Sequence, residues 1–246
     1  MKPKSIGIVG GAGPLAGVSL LERVLSVSGS VYGCHRDADF PKVFLISFPF
    51  SEMLSPEMDV GQLQKELNEC LNQLRKNGAA ILAIACNTLH AFLDENEDLT
   101  DLIHLPRALA MEIPQTETPL VLCTSTSMQF GLHKRFFPCV YPDSQTQSQV
   151  DKVIDQILKG TDQQTIIQEL LQIVQAQSAN TIILGCTELS LFTKHLSSCN
   201  KRIIDPLEIV TNKILEKSFG DNYVVNVANF GNINASCMAN ATATDS

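Results

Sequence analysis

Ile81-Leu82-Ala83-Ile84-Ala85-Cys86-Asn87-Thr88-Leu89-His90 decides how this chain folds, together with a later stretch of the same form, Thr181-Ile182-Ile183-Leu184-Gly185-Cys186-Thr187-Glu188-Leu189. Each is an apolar, partly β-branched run that reads as a buried parallel strand, and each ends at a cysteine followed by small polar residues that can open a helix. Both sulfurs then sit at the carboxyl ends of strands. Ligands bind at that edge of an open α/β sheet, because the connections splay apart there and helix N-termini offer free N–H groups. One such cysteine in each half of the chain predicts two thiols facing one small molecule.

Outward from these stretches the chain alternates strand and helix. Ser5-Ile6-Gly7-Ile8-Val9 reads as a first buried strand, and Gly10-Gly11-Ala12-Gly13-Pro14 as the turn after it. A helix follows from Leu15 to about Ser28, with Pro14 suited to its first turn, where a missing N–H costs nothing. The turn, Gly11 included, is either a loop whose backbone donors approach an anion or simply a tight strand-to-helix connection. Lys42 to Ser47 is the next strand, and Gly61 to Asn77 an amphipathic helix carrying Leu63, Leu67, Cys70, Leu71 and Leu74. The pattern restarts at Pro119 with the strand Leu120-Val121-Leu122-Cys123 and the hydroxyl-rich turn Thr124-Ser125-Thr126-Ser127. A short helix over Met128 to Phe136, a brief strand at Cys139-Val140-Tyr141, and helices capped at Pro142-Asp143-Ser144 and spanning Thr161 to Gln177 come next. Ile203-Ile204-Asp205-Pro206 reads as one more strand end, with a helix to about Phe219.

This alternation gives an α/β fold of two similar lobes, each a parallel sheet flanked by helices. The expected division is 1–108 plus 203–220 for the lobe with Cys86 and 109–202 for the lobe with Cys186. Residues 221–246 are rich in Asn, Ala, Thr and Ser, lack periodicity and read as a flexible tail.

The 246 residues suffice to bury a core, and 44% hydrophobic with 18% charged residues is a globular composition. A net charge of −8 argues against a nucleic-acid or acidic-membrane partner. No apolar run is long enough to span a bilayer, and no signal-peptide pattern precedes the first strand, so the expectation is a cytoplasmic protein. The eight cysteines, at 34, 70, 86, 123, 139, 186, 199 and 237, include no Cys-x-x-Cys pair, which disfavours a structural zinc site. Gly11-Ala12-Gly13-Pro14-Leu15-Ala16 fits G-x-G-x-x-A, but the next strand ends in Ser47-Phe48-Pro49-Phe50 without the acid that holds a ribose, so a dinucleotide reading is set aside. Cys86 and His90 stand four apart, the spacing of a metal pair on a helix, yet no third ligand is near, and His90 reads as a hydrogen-bonding residue.

Two opposed thiols suit one kind of chemistry. Taking a proton from the α-carbon of an amino acid and returning one to the other face needs a base on one side and an acid on the other. A thiol, with a reference pKa of about 8.5, can serve as either after modest tuning. Helix N-termini after Cys86 and Cys186 are expected to lower both pKa values. Asn87, Thr88, Thr124, Ser127 and Thr187 would hold the substrate's α-carboxylate and ammonium, with Glu188 accepting from the ammonium.

Taken in order, Gly10-Gly11-Ala12-Gly13-Pro14, Cys86-Asn87-Thr88-Leu89-His90, the Thr124 to Met128 turn, Leu184-Gly185-Cys186-Thr187-Glu188-Leu189 and Asp205-Pro206 resemble the cofactor-independent aspartate/glutamate racemase superfamily, and most of all its aspartate racemase branch. The resemblance covers roughly residues 5 to 219. It implies lobes related by a pseudo-two-fold axis with the active site in the cleft between them. It also implies Cys86 and Cys186 as an acid/base pair working without pyridoxal phosphate or metal, aspartate or glutamate as substrate, and a homodimer. The alternatives are a thiol-dependent decarboxylase or isomerase of a small dicarboxylate, and a catalytically silent amino-acid-binding protein. The sequence departs from the superfamily pattern at Ala12, where Met is common, and at Ala85, where Pro often precedes the first cysteine. Over Ser47 to Met53 it lacks the arginine that aspartate-selective members use to pair the substrate's side-chain carboxylate. Either another cation, such as Lys194 or a lysine of the Lys152–Lys159 helix, replaces it, or the substrate is not aspartate.

Overall fold

The computed structural model describes residues 2–53, 57–94 and 98–220. The first half runs β1 (Ile6–Gly10), α1 (Pro14–Ser30), β2 (Val43–Ser47), α2 (Val60–Lys76), β3 (Ile81–Ile84), β4 (Leu102–Ile103) and α3 (Leu105–Glu112). The second runs β5 (Leu120–Leu122), α4 (Ser125–Gln129), α5 (Ser144–Leu158), α6 (Gln163–Ala176), β6 (Thr181–Leu184), β7 (Arg202–Ile204) and α7 (Pro206–Phe219). The strands are short and apolar because helices cover both of their faces; β1 and β3 are buried along their whole length.

Two parallel sheets result, ordered β2-β1-β3-β4 and β5-β6-β7. Val140 adds a parallel bridge to Leu120 on the free side of β5, so the second sheet repeats the order of the first. In each sheet the strand ending at a cysteine, β3 or β6, pairs directly with the first strand of its own half. Cys86 and Cys186 therefore occupy the same slot in two sheets.

Side-chain caps start the helices. Asp59, Thr124, Asp143, Asp162 and Asp205 each accept a first-turn N–H, a contact of about 1 kcal/mol where it replaces an unsatisfied donor. Along α1, Ala16, Leu20, Val24 and Ser28 recur at four-residue steps and are buried. A single apolar cluster links the lobes from Ile6, Ile8 and Leu20 through Val121 and Ile183 to Leu207, Val210 and Ile214 of α7.

Two features differ from the sequence reading. Ile203 and Ile204, expected with the first lobe, lie on β7 and pair with Ile182 and Ile183, so they extend the second sheet; only α7 goes back, packing on α1, α3 and β3. β4 and α3 had no counterpart in that reading, because a two-residue strand carries too little periodicity to register. The expected tail, 221–246, lies outside the described residues.

Candidate active site

β3 and β6 deliver Cys86 and Cys186 to the carboxyl edges of their sheets, and the chain then tightens into 3₁₀ turns, Thr88–Phe92 and Leu189–Ser198. Both cysteines are 6% exposed. The backbone N–H groups of Thr88 and Leu89 and the Thr88 hydroxyl face the sulfur of Cys86. The thiol of Cys186 donates to Glu188 Oε2 at 2.9 Å.

Side chains then cross between the lobes. Thr187 Oγ1 donates to the carbonyl of Ala85, the residue before Cys86, at 3.0 Å. Thr88 Oγ1 lies 3.0 Å from Ser127 Oγ and 3.3 Å from Thr124 Oγ1, closing a buried triangle of hydroxyls. Thr126 Oγ1 donates to the Met53 carbonyl at 2.9 Å, which ties the segment after β2 to α4. Cys86, Thr88, Thr124, Ser127, Cys186, Thr187 and Glu188 thus form one buried cluster.

Three buried polar atoms at the cluster have no partner among the described residues: Asn87 Nδ2, Asn87 Oδ1 and Glu188 Oε1. Such atoms are costly to leave unpaired, and they are where a ligand bearing donors and acceptors would be held. Glycine lies against that same oxygen of Glu188. Gly13 has φ +80°, and a Cβ on it would fall on Glu188 Oε1. Gly11, expected at the site, instead has its Cα against the backbone of Phe48, whose N–H donates to the Gly10 carbonyl at 3.1 Å. Gly13 is the loop residue that meets the site acid, and the glycine-rich turn was the sequence signal that pointed to it.

The expected lowering of the two thiol pKa values does not occur. Burial pushes Cys86 up to about 12, with the Glu188 charge adding to it, and the Thr88 and Leu89 donors offset only part. Cys186 is raised well above the usual thiol range by burial, by the carboxylate of Glu188 to which it donates, and by Cys86. That last influence brings the two thiols into one electrostatic neighbourhood. Burial also raises Glu188 itself. The donors that these 3₁₀ segments aim at the sulfurs do not outweigh the loss of water and a neighbouring acid.

His90 turns away from the thiol. Its Nδ1 lies 2.8 Å from the carbonyl oxygen of Cys86, and its Nε2 accepts from the Leu105 N–H at 3.2 Å. Among the described residues no three His, Cys, Asp or Glu side chains gather where they could hold a metal ion.

A family described as Asp/Glu/Hydantoin racemase matches residues 9–214, a span that includes both cysteine stretches. The chain belongs to that family. The racemase fold extends over most of its length: it resembles the aspartate racemase of Picrophilus torridus with a TM-score of 0.72 at 20% identity, over 88% of this chain and 94% of that one. A glutamate racemase from Francisella tularensis, solved with D-glutamate, superposes with a TM-score of 0.60 at 16% identity, over 92% of this chain and 84% of the other. In sequence, this racemase-family chain is 23% identical over 202 residues to the broad specificity amino-acid racemase RacX of Bacillus subtilis (strain 168), covering 78% of this chain and 89% of RacX.

Proposed function

We propose that this protein racemises α-amino acids, with Cys86 and Cys186 exchanging roles as base and acid on opposite faces of Cα. The observation that carries the proposal is the equivalent placement of the two cysteines on matching strands, with Thr187 and the hydroxyl triangle holding one sheet edge against the other. One sulfur, as thiolate, takes the α-proton; the electron pair stays on the planar carbanion; the other thiol returns a proton to the opposite face. The first sulfur ends as thiol and the second as thiolate, ready for the reverse reaction.

The raised thiol pKa values give substrate a part in activation. Glu188 is a charge acting on both sulfurs, and a substrate ammonium seated at its free Oε1 would neutralise it. Thiolate formation then costs less in the complex than in the empty site. Asn87, Thr88, Thr124, Ser127 and Thr187 supply donors for the α-carboxylate. Aspartate and glutamate, the expectation from the sequence, are the reference substrates, and a broader range accords with the description of RacX. The homodimer is part of the proposal as well: Leu15, Val18 and Leu25 leave apolar surface exposed along α1, and sedimentation velocity checks it.

The experiment is Cα exchange in heavy water by the purified protein without added cofactor, followed by chiral chromatography. Deuterium enters Cα of both enantiomers in the parent. Cys86→Ala and Cys186→Ala each lower racemisation by about 1,000-fold or more, the scale of losing an acid or base. Racemisation by both variants at the parent rate overturns the proposal.

A further inference from the structure

The site receives no positive charge from its own chain. All 18 lysines and arginines of the sequence fall among the described residues, and none is buried. The two replacements considered from the sequence are spent elsewhere or outside: Lys194 is exposed, while Lys152 pairs with Glu169 at 2.9 Å and Lys159 with Asp155 at 2.7 Å on the surface. Arg23, which reaches the turn after Glu188 from α1, is bound to Asp205 and to the Ser190 carbonyl. The fully buried histidines do not substitute, because burial holds His90 at about 3 and His133 at about 4, leaving both neutral. The formal charge that acts on both thiols is the carboxylate of Glu188.

The segment after β2 has the same character. Phe48, Phe50 and Met53, with Phe130, pack against the apolar cluster that contains Cys86. The hydroxyl of Ser51 is committed to Glu66 at 2.6 Å and its N–H to the same carboxylate at 2.9 Å. This segment therefore brings aromatic carbon to the Cys86 cluster, backed by a second buried anion, Glu66. A side-chain carboxylate brought into such a site loses its water and finds no counter-charge.

We propose that the substrate carries a single carboxylate: an α-amino acid whose side chain has none, held by its ammonium and α-carboxylate alone. This rests on the racemase reading and narrows it. The test is kcat/KM for Cα exchange and racemisation of methionine, serine and lysine beside aspartate and glutamate, using the intact protein and both enantiomers of each. At least one of the first three is expected to exceed both acids by about 100-fold, the scale of one unpaired buried carboxylate. Aspartate at ten times the KM of the favoured substrate leaves its turnover unchanged. A kcat/KM for aspartate or glutamate equal to or above all three, or strong competitive inhibition by aspartate, overturns the narrowing while leaving the racemase reading intact. Absence of Cα exchange with every common amino acid overturns the racemase reading instead.

Discussion

His90 shows how one side chain can fix another residue's position without touching the reacting group. Because Nε2 accepts from the Leu105 N–H, the ring hydrogen must sit on Nδ1, which donates to the Cys86 carbonyl. His90→Ala leaves a buried N–H and a buried carbonyl without their partner, a loss of about 2–3 kcal/mol in chemical denaturation. His90→Asn keeps a donor close to the Nδ1 position and should retain much more racemase activity than His90→Gln, which reaches only toward Leu105. Equal kcat values for the two amides would show that the contact to Cys86 is unimportant. At this scale the cysteines themselves were legible in sequence, since each closes an apolar strand. Their ionisation was not legible, because it depends on Glu188 folding back onto Cys186 and on burial that only the assembled lobes supply.

Among the elements, the loop from β1 into α1 carries the sharpest steric constraint. Gly13 combines a left-handed φ of +80° with a Cα lying against the Glu188 carboxyl. Gly13→Ala must therefore pay about 1–2 kcal/mol of backbone strain and displace Glu188 as well. The expected outcome is a near-complete loss of racemisation with a folded protein, checked by circular dichroism and turnover on the same sample. A fully active Gly13→Ala variant would mean that Glu188 can move away freely. Helices α1, α2, α5, α6 and α7 were readable from spacing and caps to within two residues or so. The expected helix over Met128 to Phe136 divides into α4 and a 3₁₀ turn at His133–Arg135, because Gly131 at φ +58° interrupts it.

Across the whole molecule, buried titratable groups make folding sensitive to pH on both sides of neutrality. Burial lowers His90 to about 3 and His104 and His133 to about 4, from an ordinary value of 6.5. Between pH 6.5 and about 4 the unfolded chain binds protons that the folded chain refuses, so stability falls as pH drops through that window. Each excluded proton contributes about 1.4 kcal/mol per pH unit, and Glu188, raised by burial, offsets a part of it. On the alkaline side Cys70 and Cys139 near 11 and Cys86 near 12 stay protonated when their unfolded counterparts ionise above 9, so stability falls again as pH rises. Urea midpoints measured from pH 4 to 10 should trace a dome with its top between about 6.5 and 9. His133→Phe should flatten the acid limb, because it removes one of these lowered imidazoles, and among the described residues neither ring nitrogen has a partner to lose. The pairing of β7 with β6 was hidden from the sequence for a related reason: three residues cannot declare which sheet they join until both sheets exist.

Behind the cleft a continuous apolar spine joins the lobes, whereas in front Thr187, Thr88 and Thr126 reach across with one hydroxyl each. The two sides are therefore unequal in strength, since a neutral hydroxyl contact is worth only about 1 kcal/mol. The molecule is built like a clam, with a stout ligament and a light clasp, and the buried polar cluster between its halves can be opened at little energetic expense.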